Sequence, residues 1–130
     1  MAKPETTQPS IPERLSAMLN KSLYVAMRET KNAKRMGELL HDHLDWAVAA
    51  ERKGQLFASG PFAVEEGAAP GSAGGMTILR AGSLAEAEAI LAEDPFIREK
   101  AVSVTIRKWT VMEGGLTVTV RFSDQSAHLL

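Results

Sequence analysis

The sequence predicts an α+β fold: a ferredoxin-like βαββαβ order with an extra C-terminal strand. Three observations predict it. Apolar residues alternate with period two just after Ser22, and do so twice more in the last third of the chain, as in half-buried strands whose successive side chains face opposite ways. After the first strand comes a stripe of apolar residues spaced at threes and fours, which marks an amphipathic helix. A second helix start, Ser83-Leu84-Ala85-Glu86, precedes the last strands.

With 130 residues, 45% hydrophobic and 24% charged, the chain suits one globular core and is short for two. We divide it into an N-terminal arm with a short helix (1–21), one α+β domain (22–123) and a C-terminal tail (124–130). Fifteen Lys and Arg balance sixteen Asp and Glu, with no basic run interleaved with aromatics, which argues against a nucleic-acid partner. The lack of cysteine excludes disulfides, thiolate catalysis and Cys-type zinc sites, and fits a reducing compartment. Apolar runs are only a few residues long, which argues against a membrane span, and "MAKPETTQPSIPER" has prolines and charges where a signal peptide carries its apolar stretch. The expectation is a cytoplasmic protein.

Residues 1 to about 10 read as disordered. A short helix is expected near Pro12, capped by Ser10 and presenting Leu15, Met18 and Leu19; this arm would pack on the domain or on a neighbouring subunit. The first strand sets Leu23, Val25 and Met27 on one face and Tyr24, Ala26 and Arg28 on the other. The first long helix runs from about Asn32 to Lys53, with Met36, Leu39, Leu40, His43, Ala47 and Ala50 on its stripe and Gly54 at its stop. "QLFASGPFA" (55–63) is the second strand, with Gly60-Pro61 as a bulge or its exit. Residues 64–75 form a loop, read as a mobile connection in preference to a lid. "GMTILRA" resumes a strand. The capping box at Ser83 opens a helix to about Glu93, and Asp94-Pro95 ends it because proline disfavours helical geometry in the residue before it.

In the last third, Val102, Val104 and Ile106 alternate with Ser103, Thr105 and Arg107 and lead to Trp109. Leu116, Val118, Val120 and Phe122 alternate with Thr117, Thr119 and Arg121, and Glu113-Gly114-Gly115 reads as the hairpin turn joining the two runs. The ferredoxin-like order puts both helices on one sheet face. In a chain this short, a second copy is the simplest cover for the other face, so a homodimer is expected.

Two of the three histidines lie in "LLHDHLDW" (39–46). On a helix, His41 and His43 point about 200° apart and cannot share a metal. His41 and Asp45 share a face, but no further ligands lie nearby in sequence, and a solvated pair on the outer face is the better reading. His43 falls inside the apolar stripe, three residues after Leu40 and four before Ala47. A buried imidazole needs partners for its nitrogens, which a packed core histidine and a functional one satisfy alike. The best-placed carboxylate is Asp94 in "AEDPFI": at a helix C-terminus an acid opposes the macrodipole and wants a cationic partner or a purpose. A pair with His43 would fix the imidazole tautomer for proton transfer; a simple helix-ending turn is equally open on these residues alone.

Taken together, the opening strand "SLYVAMRE", the helix with His43-Leu44, the Gly before "LFASGP" (56–61), the "SLAEA" helix start, "DPF" (94–96) and the strand ending at Trp109 resemble the YciI-like (YCII-related) family over about residues 21–112. The resemblance implies the dimeric α+β barrel fold. It implies that His43 and Asp94 form an active-site dyad, and that Ser59, Gly60 and Pro61 border the same cleft and contact substrate. Residues before Ser22 and the "EGGLTVTVRFSDQ" segment lie outside it.

Two functions are then expected. The first is a cofactor-independent lyase, isomerase or dehydrochlorinase acting on a small cyclic or aromatic-like compound, with His43 as general acid or base oriented by Asp94. Some members of the resembled family are dehydrochlorinases of chlorinated hydroquinones. The second is a non-catalytic module that binds a small molecule or a partner. Neither a nucleophile elbow at Ser59 nor a phosphate loop in "PGSAGG" is supported, and no cofactor or metal is expected.

Overall fold

The structure is a computed structural model and describes residues 8–129. It consists of two compact units: residues 22–110, and the flanking segments up to Lys21 and from Val111.

The larger unit is built on a four-stranded sheet in the order β2-β3-β1-β4, from β1 (Lys21–Thr30), β2 (Leu56–Pro61), β3 (Gly75–Leu79) and β4 (Val102–Val111). β3 runs antiparallel to both β1 and β2. Helices α2 (Ala33–Arg52) and α3 (Leu84–Ala92) connect the strands in the βαββαβ order. The helix-covered face is identified by its contacts. Tyr24, Ala26 and Leu79 cluster with Ala87, Ile90 and Leu91 of α3, and with half-buried Trp46 of α2. A second cluster joins Leu39 of α2 to Phe96, Ala101 and Val102.

Local chemistry sets the ends of these elements. Asn32 caps α2 by accepting the Arg35 N–H at 3.0 Å, Lys53 is its C-cap, and Gly54 follows at φ +76°, the left-handed turn that suits glycine. Ser83 caps α3 through Glu86 N–H at 3.1 Å, but the Glu86 carboxylate reaches back one residue further than a capping box requires and accepts from Gly82 N–H at 2.7 Å. The bulge in β2 falls between Leu56 and Ala58, and Pro61 is the exit. Gly74 has φ +73°, and a Cβ there would collide with the Arg28 carbonyl oxygen, so this approach to β1 requires glycine.

After α3, Asp94 is extended (φ −68°, ψ 121°) and Pro95 opens a one-turn helix, α4 (Pro95–Arg98). This element is absent from the sequence-based expectation, being too short to show a helical period. It changes the electrostatics of Asp94: the carboxylate caps the N-terminus of α4, where negative charge is favourable, instead of only opposing the end of α3.

In the smaller unit, α1 (Ile11–Ser16) starts on a full capping box, with Ser10 N–H donating to Glu13 Oε2 at 2.9 Å and Glu13 N–H to Ser10 Oγ at 3.3 Å. Of the stretch expected to be disordered, residues 1–7 lie outside the described residues. The expected hairpin across Glu113–Gly115 does not form. β5 (Val118–Val120) pairs instead with β6 (Ala127–Leu129), inside the stretch read as a tail. The competing turn is local: Asp124 Oδ1 accepts from Ser126 N–H and Oγ–H, and Gln125 sits at φ +56°.

Candidate active site

Strand register assembles the floor of the site. Ala26, Thr77 and Ser59 are cross-strand neighbours on β1, β3 and β2, so all three face the helices, and Arg28, two residues beyond Ala26, shares that face. Arg28 Nε–H donates to Thr77 Oγ1 at 2.6 Å, and Thr77 Oγ1 lies 2.8 Å from Ser59 Oγ. From above, α2 lowers His43 and Trp46, and the α3–α4 junction delivers Asp94 and Phe96.

These groups meet at Asp94, which is fully buried. Its Oδ1 lies 2.8 Å from His43 Nδ1 and accepts Phe96 N–H at 3.0 Å. Its Oδ2 lies 2.7 Å from Arg28 Nη1, a close charge contact without good hydrogen-bond alignment. Burial pushes the Asp94 carboxyl up, but the His43 hydrogen bond and the Arg28 charge together outweigh it and hold the group below the ordinary carboxylate value. An ionised Asp94 has only acceptors to offer, so the shared proton resides on His43 Nδ1. In the neutral imidazole that leaves the lone pair on Nε2, which has no hydrogen-bond partner among the described residues. The imidazole is clamped flat on Phe96, centroids 3.9 Å apart and planes 6° apart, and the Arg28 guanidinium lies 5.9 Å from the Trp46 ring centroid.

Beside this network opens a cavity of about 740 Å³. His43, Arg28, Lys34, Thr30 and Ser59 supply polar groups; Met36, Leu40, Leu44, Phe96 and Val102 supply apolar wall. The loop after β2 adds Ala69, Pro70 and Gly71, and Thr30 Oγ1 donates to the Gly71 carbonyl, so this loop forms part of the wall. Such a cavity, apolar with a few convergent polar groups, suits a small organic molecule.

The sequence model of the YCII-related domain matches residues 22–110. The chain belongs to this family. A search of curated proteins finds no match. Among solved structures, the chain is similar to 5-chloro-2-hydroxyhydroquinone dehydrochlorinase from Burkholderia phenoliruptrix in complex with 2,5-dihydroxybenzoquinone, with TM-score 0.57 and 17% identity over 67% of this chain and 92% of that one. At that identity the likeness establishes the fold alone, an α+β sheet with helices on one face.

In this YCII-related chain the five residues singled out from sequence lie together: His43 and Asp94 in direct contact, and Ser59, Gly60 and Pro61 on the cavity wall. His41 and Asp45 are both exposed, with no ion pair between them. Among the described residues no group of three His, Asp or Glu is placed to hold a metal ion, and no helix is long and apolar enough to cross a membrane. Sequence reasoning missed Arg28, Thr77 and Trp46. Arg28 left a signal, since it shares its strand face with Tyr24 and Ala26. Thr77 left a weaker one, two residues before Leu79.

Proposed function

We propose that this protein is a cofactor-independent enzyme that moves a proton on a small cyclic, oxygenated compound, as a lyase, isomerase or dehydrochlorinase does. The observation that carries the reading is the His43–Asp94 contact at 2.8 Å on the edge of an apolar cavity. Asp94 fixes the tautomer and Arg28 keeps Asp94 ionised, so His43 Nε2 is the general base. Asp94 does not take the proton; it stabilises the imidazolium that forms. Where the keto tautomer carries hydrogen and chlorine on one saturated ring carbon, loss of a hydroxyl proton to Nε2 sends the electron pair through the ring to expel chloride, so that a quinone forms and HCl is lost overall. Where it does not, the proton returns elsewhere on the ring system and the result is an isomer. The likeness to a structure solved with 2,5-dihydroxybenzoquinone supports a flat, oxygen-bearing ligand.

The working form we propose is a homodimer. The sheet face away from the helices presents Val25, Met27, Met76 and Ala58 by the observed register, and Met27 is 42% exposed. A second copy would cover such a face.

The test is incubation with 5-chloro-2-hydroxyhydroquinone and its unchlorinated analogue in D2O, following chloride release and deuterium incorporation. The wild type is expected to turn over at least one, and His43→Gln to be slower by about a hundredfold or more. A His43→Gln variant as active as wild type contradicts the reading.

A further inference from the structure

The hydroxyls of Thr77 and Ser59 are left without a role by the proton-transfer scheme. Thr77 Oγ1 sits between Arg28 Nε at 2.6 Å and Ser59 Oγ at 2.8 Å. Either hydroxyl can donate in the second bond on distance alone, but the chemistry of the chain orders it. A guanidinium has donors only, so Arg28 occupies one lone pair of Thr77. Thr77 is fully buried, and Ser59 Oγ is the acceptor its hydroxyl reaches among the described residues. If Ser59 donated inward, the Thr77 O–H would be buried without an acceptor and would forfeit its hydration with nothing in return. Ser59 is under no such constraint, because it is exposed on the cavity wall.

We infer that Arg28, Thr77 and Ser59 form a one-way donor relay that presents the Ser59 O–H to the cavity, and that the ligand sets an oxygen acceptor on it, a carbonyl or an ionised hydroxyl. Each bond in such a chain polarises the next, so the guanidinium charge strengthens a donor that Arg28 does not itself touch. Ser59 is the ligand-binding residue; Thr77 and Arg28 are positioning residues. For the substrate class the inference rests on the proton-transfer reading. The cavity then offers a fixed acceptor, His43 Nε2, and a fixed donor, Ser59 O–H, which together suit an enolisable carbonyl compound such as the keto form of a phenol. The C–H bond breaks, its proton goes to Nε2, and the electron pair moves onto the oxygen held by Ser59. The order of the hydroxyls does not depend on that reaction.

Neutron diffraction from crystals exchanged into D2O reads the order directly. The expected map has the Thr77 deuterium between Thr77 Oγ1 and Ser59 Oγ and the Ser59 deuterium turned into the cavity; a Ser59 deuterium lying between the two oxygens overturns the relay. Binding of 4-nitrophenol, which ionises near neutral pH, reads the consequence, with 4-nitroanisole as the neutral control. Wild type and Thr77→Ser should bind the coloured phenolate. The near-isosteric Thr77→Val should bind it about tenfold more weakly while holding 4-nitroanisole unchanged. Failure of the wild type to prefer phenolate, or of Thr77→Val to weaken it, overturns the ligand assignment. If Thr77→Val does not fold, the neutron map and the wild-type preference decide. His43→Gln should keep the phenolate preference, so loss of catalysis and loss of the relay are separately visible.

Discussion

The two faces of the four-stranded sheet differ in where they carry charge: beside its apolar core the covered face buries an ionic network that the open face lacks. The helix-covered face holds the charges: Arg28 and Thr77 stand in line with Ala26 and Tyr24, and above them lie His43 and Asp94. The opposite face holds Val25, Met27, Met76 and Ile78. The buried charges are balanced in sign: Asp94 meets His43, Arg28 and a backbone N–H, and Arg28 meets Asp94 and Thr77, although both Nη atoms of Arg28 and Asp94 Oδ2 are buried without an aligned hydrogen bond. Burial cost is offset only while the set is complete. For stability alone leucines would do as well, and the buried charge is what the proposed proton transfer uses.

The comparison can be broken from either side. The largest effect is expected from Asp94→Ala, which leaves the Arg28 guanidinium buried without its counter-charge. Urea unfolding should show a loss of about 3 to 5 kcal/mol, and a loss under 1 kcal/mol would mean that the covered face is wetter than its geometry implies. On the other face, Met27→Lys should leave the circular dichroism spectrum unchanged while sedimentation shows half the wild-type mass. A variant that still sediments as the wild type would remove this face as the subunit contact.

A smaller effect concerns acid. The Asp94 carboxyl is held below its ordinary value in the folded state, so its contribution to stability is present above the ordinary carboxylate range, about pH 4, and is lost as pH falls through the lower folded value. Asp94→Asn should therefore flatten the acid limb of the stability profile and leave its alkaline limb unchanged. An acid limb identical to wild type would show that Asp94 titrates normally. The smallest effect sharpens the contrast within one helix: His41→Ala, at an exposed position two residues from His43, should change stability by no more than about 0.5 kcal/mol and leave activity intact.

The same two faces explain what the sequence makes legible. Periodicity separates Leu23, Val25 and Met27 from Tyr24, Ala26 and Arg28, but it carries no label for the covered side, and an arginine argues for the wrong one. Helix ends are legible because they are written in local chemistry: Asn32, Lys53 and Ser83 all cap where the pattern places them. His43 is legible as an inward residue from its spacing to Leu40 and Ala47. Its contact with Asp94 spans fifty-one positions: the residues make Asp94 a candidate partner no better than a helix-ending turn, and the family resemblance tips the choice. The ladder that brings Ser59, Thr77 and Arg28 into one line is a property of strand register, which no single segment encodes. The C-terminal pairing departs from the expected hairpin because two turns compete for one strand, and the turn at Asp124–Ser126 carries side-chain hydrogen bonds that Glu113–Gly115 lacks.

The central claim is that Asp94 holds His43 with Nδ1 protonated and Nε2 free as a base. Nitrogen-15 NMR of the histidine ring in the wild type and in Asp94→Asn tests it most directly. The account predicts one dominant tautomer in the wild type, with Nδ1–H and an unprotonated Nε2, and a mixed or reversed tautomer in Asp94→Asn with the fold intact. A wild-type ring protonated at Nε2, or a tautomer indifferent to Asp94→Asn, would contradict it and leave His43 a packed core residue.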